Sequence, residues 1–225
     1  MRAPVRWAML SMILGGAAFA QSGPFSFEGL PDSTILTNQL TGATFANAII
    51  LSMGITLNEF EFPPHGGSNV ASDNGGPMTI VFAAPLRGFS GYFTHNVQVT
   101  LLALDSANNV LATMTSAFPN NEALSGTSGS HPNELLEVSS STGIFKVVIT
   151  GSSQGTSFTL DDAALYTRCD LTLDGVTNVA DAQAILNQAL GAAKAVDDLT
   201  LDGVVNVVDA QIVINAALGS VCEAK

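Results

Sequence analysis

Residues 170–191 read DLTLDGVTNVADAQAILNQALG, and residues 198–219 read DLTLDGVVNVVDAQIVINAALG. The second copy follows the first at an offset of 28 residues, and a repeat of this kind has to be read before any other feature. In each copy a twelve-residue acidic loop runs into a helical pattern. Loop one places Asp170 at position 1, Thr172 at 3, Asp174 at 5, Gly175 at 6, Val176 at 7, Asn178 at 9 and Asp181 at 12. Loop two places Asp198, Thr200, Asp202, Gly203, Val204, Asn206 and Asp209 at the same positions.

This is the spacing of an EF-hand calcium loop. Calcium takes roughly 6–8 oxygen ligands, and alternate positions of a tight loop point inward together. The glycine at position 6 permits the sharp turn around the ion. Position 7 supplies a backbone carbonyl, so Val176 and Val204 serve there although their side chains are apolar. Asn178 and Asn206 act directly or through a water. Thr172 and Thr200 offer weak neutral hydroxyls where Asp or Asn is usual. Position 12 is Asp rather than Glu. Three carboxylates per loop repel one another when no ion is present, by up to roughly 4 kcal/mol per pair at 4 Å and an effective dielectric of 20.

An Asp at position 12, and a duplicated loop–helix with no helix in front of the loop, resemble the dockerin family. Dockerins are small modules that bind cohesin domains and attach exported proteins, often polysaccharide-degrading enzymes, to a scaffold. The resemblance covers residues 169–222. It implies calcium in both loops and a cohesin-like protein partner. In dockerins, positions 10 and 11 of each loop help choose the cohesin. Those positions are Val179-Ala180 and Val207-Val208 here, all apolar, and they predict a hydrophobic partner surface. The rival reading packs these residues against one another or against the rest of the chain.

The only two cysteines, Cys169 and Cys222, bracket the repeat. In an exported chain they are expected to pair. Export is the reading of the N-terminus. Arg2 and Arg6 form a basic region, Trp7 to Leu14 is a short apolar run, and Ala18-Phe19-Ala20 is a small-x-small cleavage site. Residues 1–20 therefore read as a secretory signal peptide, too short for a membrane span, and nothing later is long enough to cross. Without this segment the chain carries 5 basic and 19 acidic residues, a net charge of −14. That acidity, with no basic patch, argues against nucleic acid and anionic membrane as partners.

Residues 21–167 read as a β-domain and 168–225 as the calcium-binding module. Between Phe25 and Leu160 short alternating or apolar runs are punctuated by turns. They include Ala43–Ser52, Thr56–Phe62, Met78–Phe82, Phe89–Thr94, Leu135–Val138, Ile144–Thr150 and Ser157–Leu160. Asn108-Asn109 reads as the turn of a hairpin joining Val99–Leu104 to Val110–Met114. Some ten strands without helical periodicity predict an antiparallel jelly-roll β-sandwich followed by a small α module. Phe27-Glu28-Gly29 and Phe158-Thr159-Leu160-Asp161-Asp162 resemble the opening and closing strands of jelly-roll modules in exported bacterial proteins, including carbohydrate-binding families. That resemblance makes Glu28 and Asp161 or Asp162 candidates for a second, weaker calcium site. The other reading leaves these acids capping a strand end.

Catalytic constellations are poor. His65, His95 and His131 lack metal-site patterning, and Ser128 between glycines lacks the strand–helix context of a nucleophile elbow. Glu59 and Glu61 share one face of an expected strand rather than facing each other across a cleft. The leading expectation is a secreted, non-catalytic protein whose repeat docks on a partner while the sandwich binds or displays a ligand such as a glycan. The alternatives are a polysaccharide hydrolase or lyase delivered by its dockerin, and a structural surface protein with a calcium-stiffened tail.

Overall fold

A computed structural model of the chain describes residues 23–225, so the expected signal peptide lies outside the described residues. The described part is mainly β. The strands are β1 (Gly23–Phe25), β2 (Ala43–Ala46), β3 (Ala48–Ser52), β4 (Asn69–Asn74), β5 (Met78–His95), β6 (Thr100–Leu104), β7 (Val110–Thr115), β8 (Glu134–Thr150) and β9 (Gly155–Thr167). Two short helices follow, α1 (Val179–Ala189) and α2 (Val207–Ala217).

All strand pairings are antiparallel, in the order β3-β4-β9-β5-β8-β6-β7, with β1 on β9 and β2 on β5. β5 and β8 run together along most of their length, but their register shifts on either side of Leu86. Pro85 lies in the first irregular stretch, where its missing N–H costs no ladder bond. Expected strands on either side of this proline thus fuse into one bent strand. The β2 side of the bend contributes Phe45, Ile80, Leu101 and Val147 to the core. The β9 side contributes Ile50, Phe93, Phe158 and Leu160 to the same cluster. Two faces closing on one apolar core make a β-sandwich.

Two local expectations fail and one strand goes unannounced, each for an identifiable reason. Thr56–Phe62 is a pair of turns, because the Asn58 carbonyl accepts the N–H groups of Glu61 and Phe62 at 3.2 and 2.8 Å. Glu59 and Glu61 therefore share no strand face. Ala43–Ser52 splits at Asn47, whose φ of 56° breaks extended structure. Its side chain donates to the Pro77 carbonyl at 3.0 Å. β4 has no apolar alternation to announce it, since Asn69, Ser72 and Asp73 are all buried. Asp73 is satisfied by Ser157, accepting its N–H at 2.7 Å and its hydroxyl at 2.6 Å, and buried polar groups persist when paired in this way. The expected hairpin does form, with Asn108 at a φ of 67°.

The repeat builds a second, much smaller core from Ile185, Leu199, Ala210, Val213 and Cys169. Each helix opens with a capping box. Asn178 caps α1 with Asp181 at N3, and Asn206 caps α2 with Asp209 at N3. Cys169 and Cys222 are disulfide-bonded, with Cα atoms 5.8 Å apart.

The two modules touch through residues outside both cores. A Cβ on Gly88 of β5 would lie 3.1 Å from the Leu173 side chain, so the glycine eases the close approach of loop one to the sheet. Arg87 pairs with Asp197 at 2.7 Å, and Asp197 also accepts from the Gln188 amide at 2.6 Å. Arg168, directly after β9, is fully buried. It donates to the carbonyls of Ser141, Asp198 and Lys225, joining the sandwich, the start of loop two and the last residue described.

Candidate functional site

Both loops wrap their own carboxylates. Asp181 Oδ1 accepts the N–H and hydroxyl of Thr172 at 2.9 and 3.0 Å, and its Oδ2 accepts Asn178 N–H at 2.8 Å. Asp170 accepts Gly175 N–H at 2.9 Å, and Asp174 accepts Val176 N–H at 2.9 Å. Loop two repeats the scheme. Asp209 holds Thr200 and Asn206 at 3.0 and 2.8 Å, Asp198 holds Gly203 at 2.7 Å, and Asp202 holds Val204 at 3.0 Å. Gly175 and Gly203 sit at φ 87° and 92°, the left-handed turn that position 6 demands. Asn178 and Asn206 spend their side-chain oxygens on the helix N-cap, a role that their Asn-x-x-Asp spacing signals.

The loops differ in burial. Asp170, Asp174 and Asp181 bring one carboxylate oxygen each within 4.8 Å of the others, with Asp170 and Asp181 buried. Among the described residues this is the one such group. An all-oxygen set at that span fits a hard divalent cation. Burial pushes the Asp170 carboxyl up, and the Asp181 and Asp174 charges add to the shift. Asp198 moves the other way. Its slight desolvation is outweighed by N–H donors from Gly203 and Asp202 and by the Thr200 hydroxyl, which hold it below the usual carboxylate range.

The residues at loop positions 10 and 11 do not pack inward. Val179, Val207 and Val208 are 80%, 73% and 53% exposed, and Ala180 is exposed as well. They form the first turns of α1 and α2.

Glu28, Asp161 and Asp162 have a different occupation from the converging set. Glu28 Oε1 accepts the N–H groups of Ser68 and Asn69, both at 2.8 Å. Asp161 Oδ2 accepts those of His65 and Gly66 at 2.8 and 2.9 Å. Asp162 meets His65 Nδ1 at 2.7 Å. Together the three acids pin the segment 65–69 onto the outer face of β9. Gly66 and Gly67 make room, since a Cβ on either would lie 2.6 Å or less from Asp162 or Glu28. Burial raises the Asp161 carboxyl against the pull of its N–H donors.

His65 lies in the loop after Pro63-Pro64 and remains exposed. The structure stacks it flat on Tyr92, ring centroids 3.5 Å apart and planes 7° from parallel. No sequence signal joins these residues, which lie 27 positions apart and come together only through the loop.

No family model matches the chain, and no curated protein matches its sequence. Among solved structures it is similar to a DUF4465 family protein from Bacteroides caccae, at 12% identity and a TM-score of 0.38, over 68% of this chain and 96% of that one. It is also similar to the family 11 carbohydrate-binding module of a cellulosomal cellulase of Clostridium thermocellum, at 9% identity and a TM-score of 0.31, over 67% and 96%. A family 6 carbohydrate-binding module follows at 10% identity and a TM-score of 0.30, over 59% and 92%. At these scores the likenesses identify neither a family nor a function. No helix among the described residues is long and apolar enough to cross a membrane.

Proposed function

We propose that this is a secreted, non-catalytic two-module protein. Its duplicated loop–helix repeat binds calcium and docks on a cohesin-like protein partner, while its β-sandwich binds a polysaccharide. The observation that carries the reading is the convergence of Asp170, Asp174 and Asp181 within 4.8 Å, on a loop whose spacing and hydrogen bonds recur in the second copy. Asp170, Asp174 and Asp181 with the Thr172 hydroxyl and the Val176 carbonyl would hold one ion. Asp198, Thr200, Asp202, Val204 and Asp209 would hold the other. Calcium would neutralise carboxylates that otherwise repel, so its binding free energy adds to folding free energy. Asn178 and Asn206 are occupied as caps, which supports a contribution through water. The exposed valines at the two helix starts supply matching apolar patches, the kind of surface that marks an interface.

The test is calorimetric titration of calcium into the chelator-stripped full chain, followed by capture on a panel of immobilised cohesin domains with and without chelator. Two binding events and chelator-sensitive capture are expected. Absence of any calcium binding overturns the whole reading of the repeat. Calcium binding without capture overturns the cohesin partner and favours a calcium-stiffened structural tail.

A further inference from the structure

The sheet around Tyr92 carries a stacked ring pair beside a strained acid. Tyr92 stands in β5 between Leu135 of β8 and Asp161 of β9. Between Ser90 and Tyr92 the register against β9 shifts by one residue, so β9 bulges there. Asp162 takes the strained position, at a φ of 42°. A left-handed conformation at a non-glycine residue costs energy and persists where surrounding structure holds it, often at ligand sites. Bulges likewise re-aim a side chain. Here the bulge turns both Asp161 and Asp162 outward. Asp161 is then consumed by the N–H groups of the loop, while Asp162 keeps one oxygen for His65 Nδ1 at 2.7 Å.

The product is a fixed ring. His65 is held at one edge by Asp162 and on one face by Tyr92, and its side chain is still 37% exposed, with Asp162 at 33%. Tyr92 covers one face and Asp162 engages Nδ1, which leaves that exposure to the remainder of the ring. Next to the stack, Leu135 is 53% exposed. Flat apolar surface flanked by a fixed hydrogen-bonding carboxylate and a ring nitrogen matches a pyranose, which has an apolar C–H face and hydroxyls at its rim. The setting also selects among sugars. Asp162 meets the ring while Asp161 and Glu28 hold its loop, and among the described residues no Lys or Arg is paired with these acids. An anionic sugar would meet like charge at close range.

We propose that His65, Tyr92 and Asp162 form a platform for the apolar face of a neutral pyranose glycan. Asp162 acts as positioning residue for the ring and as hydroxyl acceptor. This rests on the reading that the sandwich takes polysaccharide. The site is separate from the exposed apolar loop residues Ile55, Phe60 and Leu124, none of which is in a stacked ring pair.

The experiment uses the full chain with calcium present. Cellohexaose, xylohexaose, mannohexaose and hexagalacturonate are titrated while amide and imidazole resonances are followed by NMR. At least one neutral hexaose is expected to bind, with shifts confined to residues 63–67, Tyr92, Leu135 and Asp162. The hexagalacturonate should bind at least tenfold more weakly. His65→Ala and Asp162→Asn should each weaken neutral binding at least tenfold with the melting temperature held. Should a variant fail to fold, the wild-type shift map decides alone. Neutral binding whose shifts centre on Phe60 and Leu124, or that survives both substitutions, overturns this site and leaves the glycan reading standing. No binding of any hexaose overturns both, and preferential binding of hexagalacturonate overturns the charge argument on which the site rests.

Discussion

The sandwich and the repeat are stabilised by different physics. The sandwich buries a continuous cluster of large side chains, including Phe27, Phe89, Phe93 and Phe158. The repeat buries Ile185, Leu199, Ala210 and Val213 and little else of that kind. What it adds is a disulfide, two capping boxes and carboxylates that receive the N–H groups of their own loops. A domain of this size has too little apolar area to fold on burial alone. On the reading proposed above, its stability depends on redox state and cations, whereas the sandwich rests on its apolar core.

The sharpest way to break the contrast is reduction. The Cys169–Cys222 bond closes a loop of 53 residues, which in the chain-entropy model stabilises by about 4 kcal/mol. A Cys169→Ser, Cys222→Ser double variant should lose the helical signal of the repeat at a lower temperature, read by far-ultraviolet circular dichroism. The sandwich transition should stay in place, and movement of both together would show that the two parts share one stability.

The seam between them is the next lever. Arg87 and Asp197 are paired at 2.7 Å with little exposure, 16% and 3%. Removing one partner leaves a buried charge without compensation and costs about 3 kcal/mol. Arg87→Ala should lower the transition of the repeat and widen its separation from that of the sandwich in a calorimetric melt. An Arg87→Met, Asp197→Leu double variant should restore much of the loss, because neither charge is then stranded.

A smaller effect separates the parts by pH. His95 is fully buried, beside Glu134 at 3.4 Å and with Nδ1 unpartnered. Burial lowers its pKa below 6.5, against the opposing pull of Glu134. Between that lowered value and 6.5 the unfolded chain binds a proton that the folded chain does not. Stability is therefore full above about pH 6.5 and falls as the pH drops through that window. His95→Gln should flatten this slope in denaturant melts of the sandwich, while the helical transition keeps its own pH profile.

The smallest expected change is at the exposed helix starts. Val179 is 80% exposed, so Val179→Asp should alter stability by no more than about 0.5 kcal/mol. An added acid in the first turn also suits the helix dipole. A large loss of stability, measured by urea denaturation, would mean that the valine is packed, and the docking surface would lose its basis.

The repeat was legible because its information is local. Twelve consecutive residues carry the loop, the glycine turn and the helix cap, and the copy in residues 198–219 repeats each of them. The strands were less so. β5 crosses Pro85 because a bulge absorbs the missing donor, and periodicity cannot announce a bulge. β4 hides behind polar residues that are buried with distant partners, among them Asp73 with Ser157, 84 positions away. The His65–Tyr92 stack was illegible for the same reason.

From the order of its residues alone, this chain determines what depends on neighbours within a dozen positions: the acidic loops, the caps and the Asn108 turn. Backbone geometry and short-range hydrogen bonds suffice for these. Tertiary structure alone decided where Glu28 and Asp161 spend their oxygens, that Gly88 admits Leu173, that Arg168 bridges three segments, and that Asp162 sets the edge of the His65 ring. Each of those outcomes needs two or more distant segments to meet at hydrogen-bonding or van der Waals range. Chain entropy keeps such segments apart until the apolar core has formed.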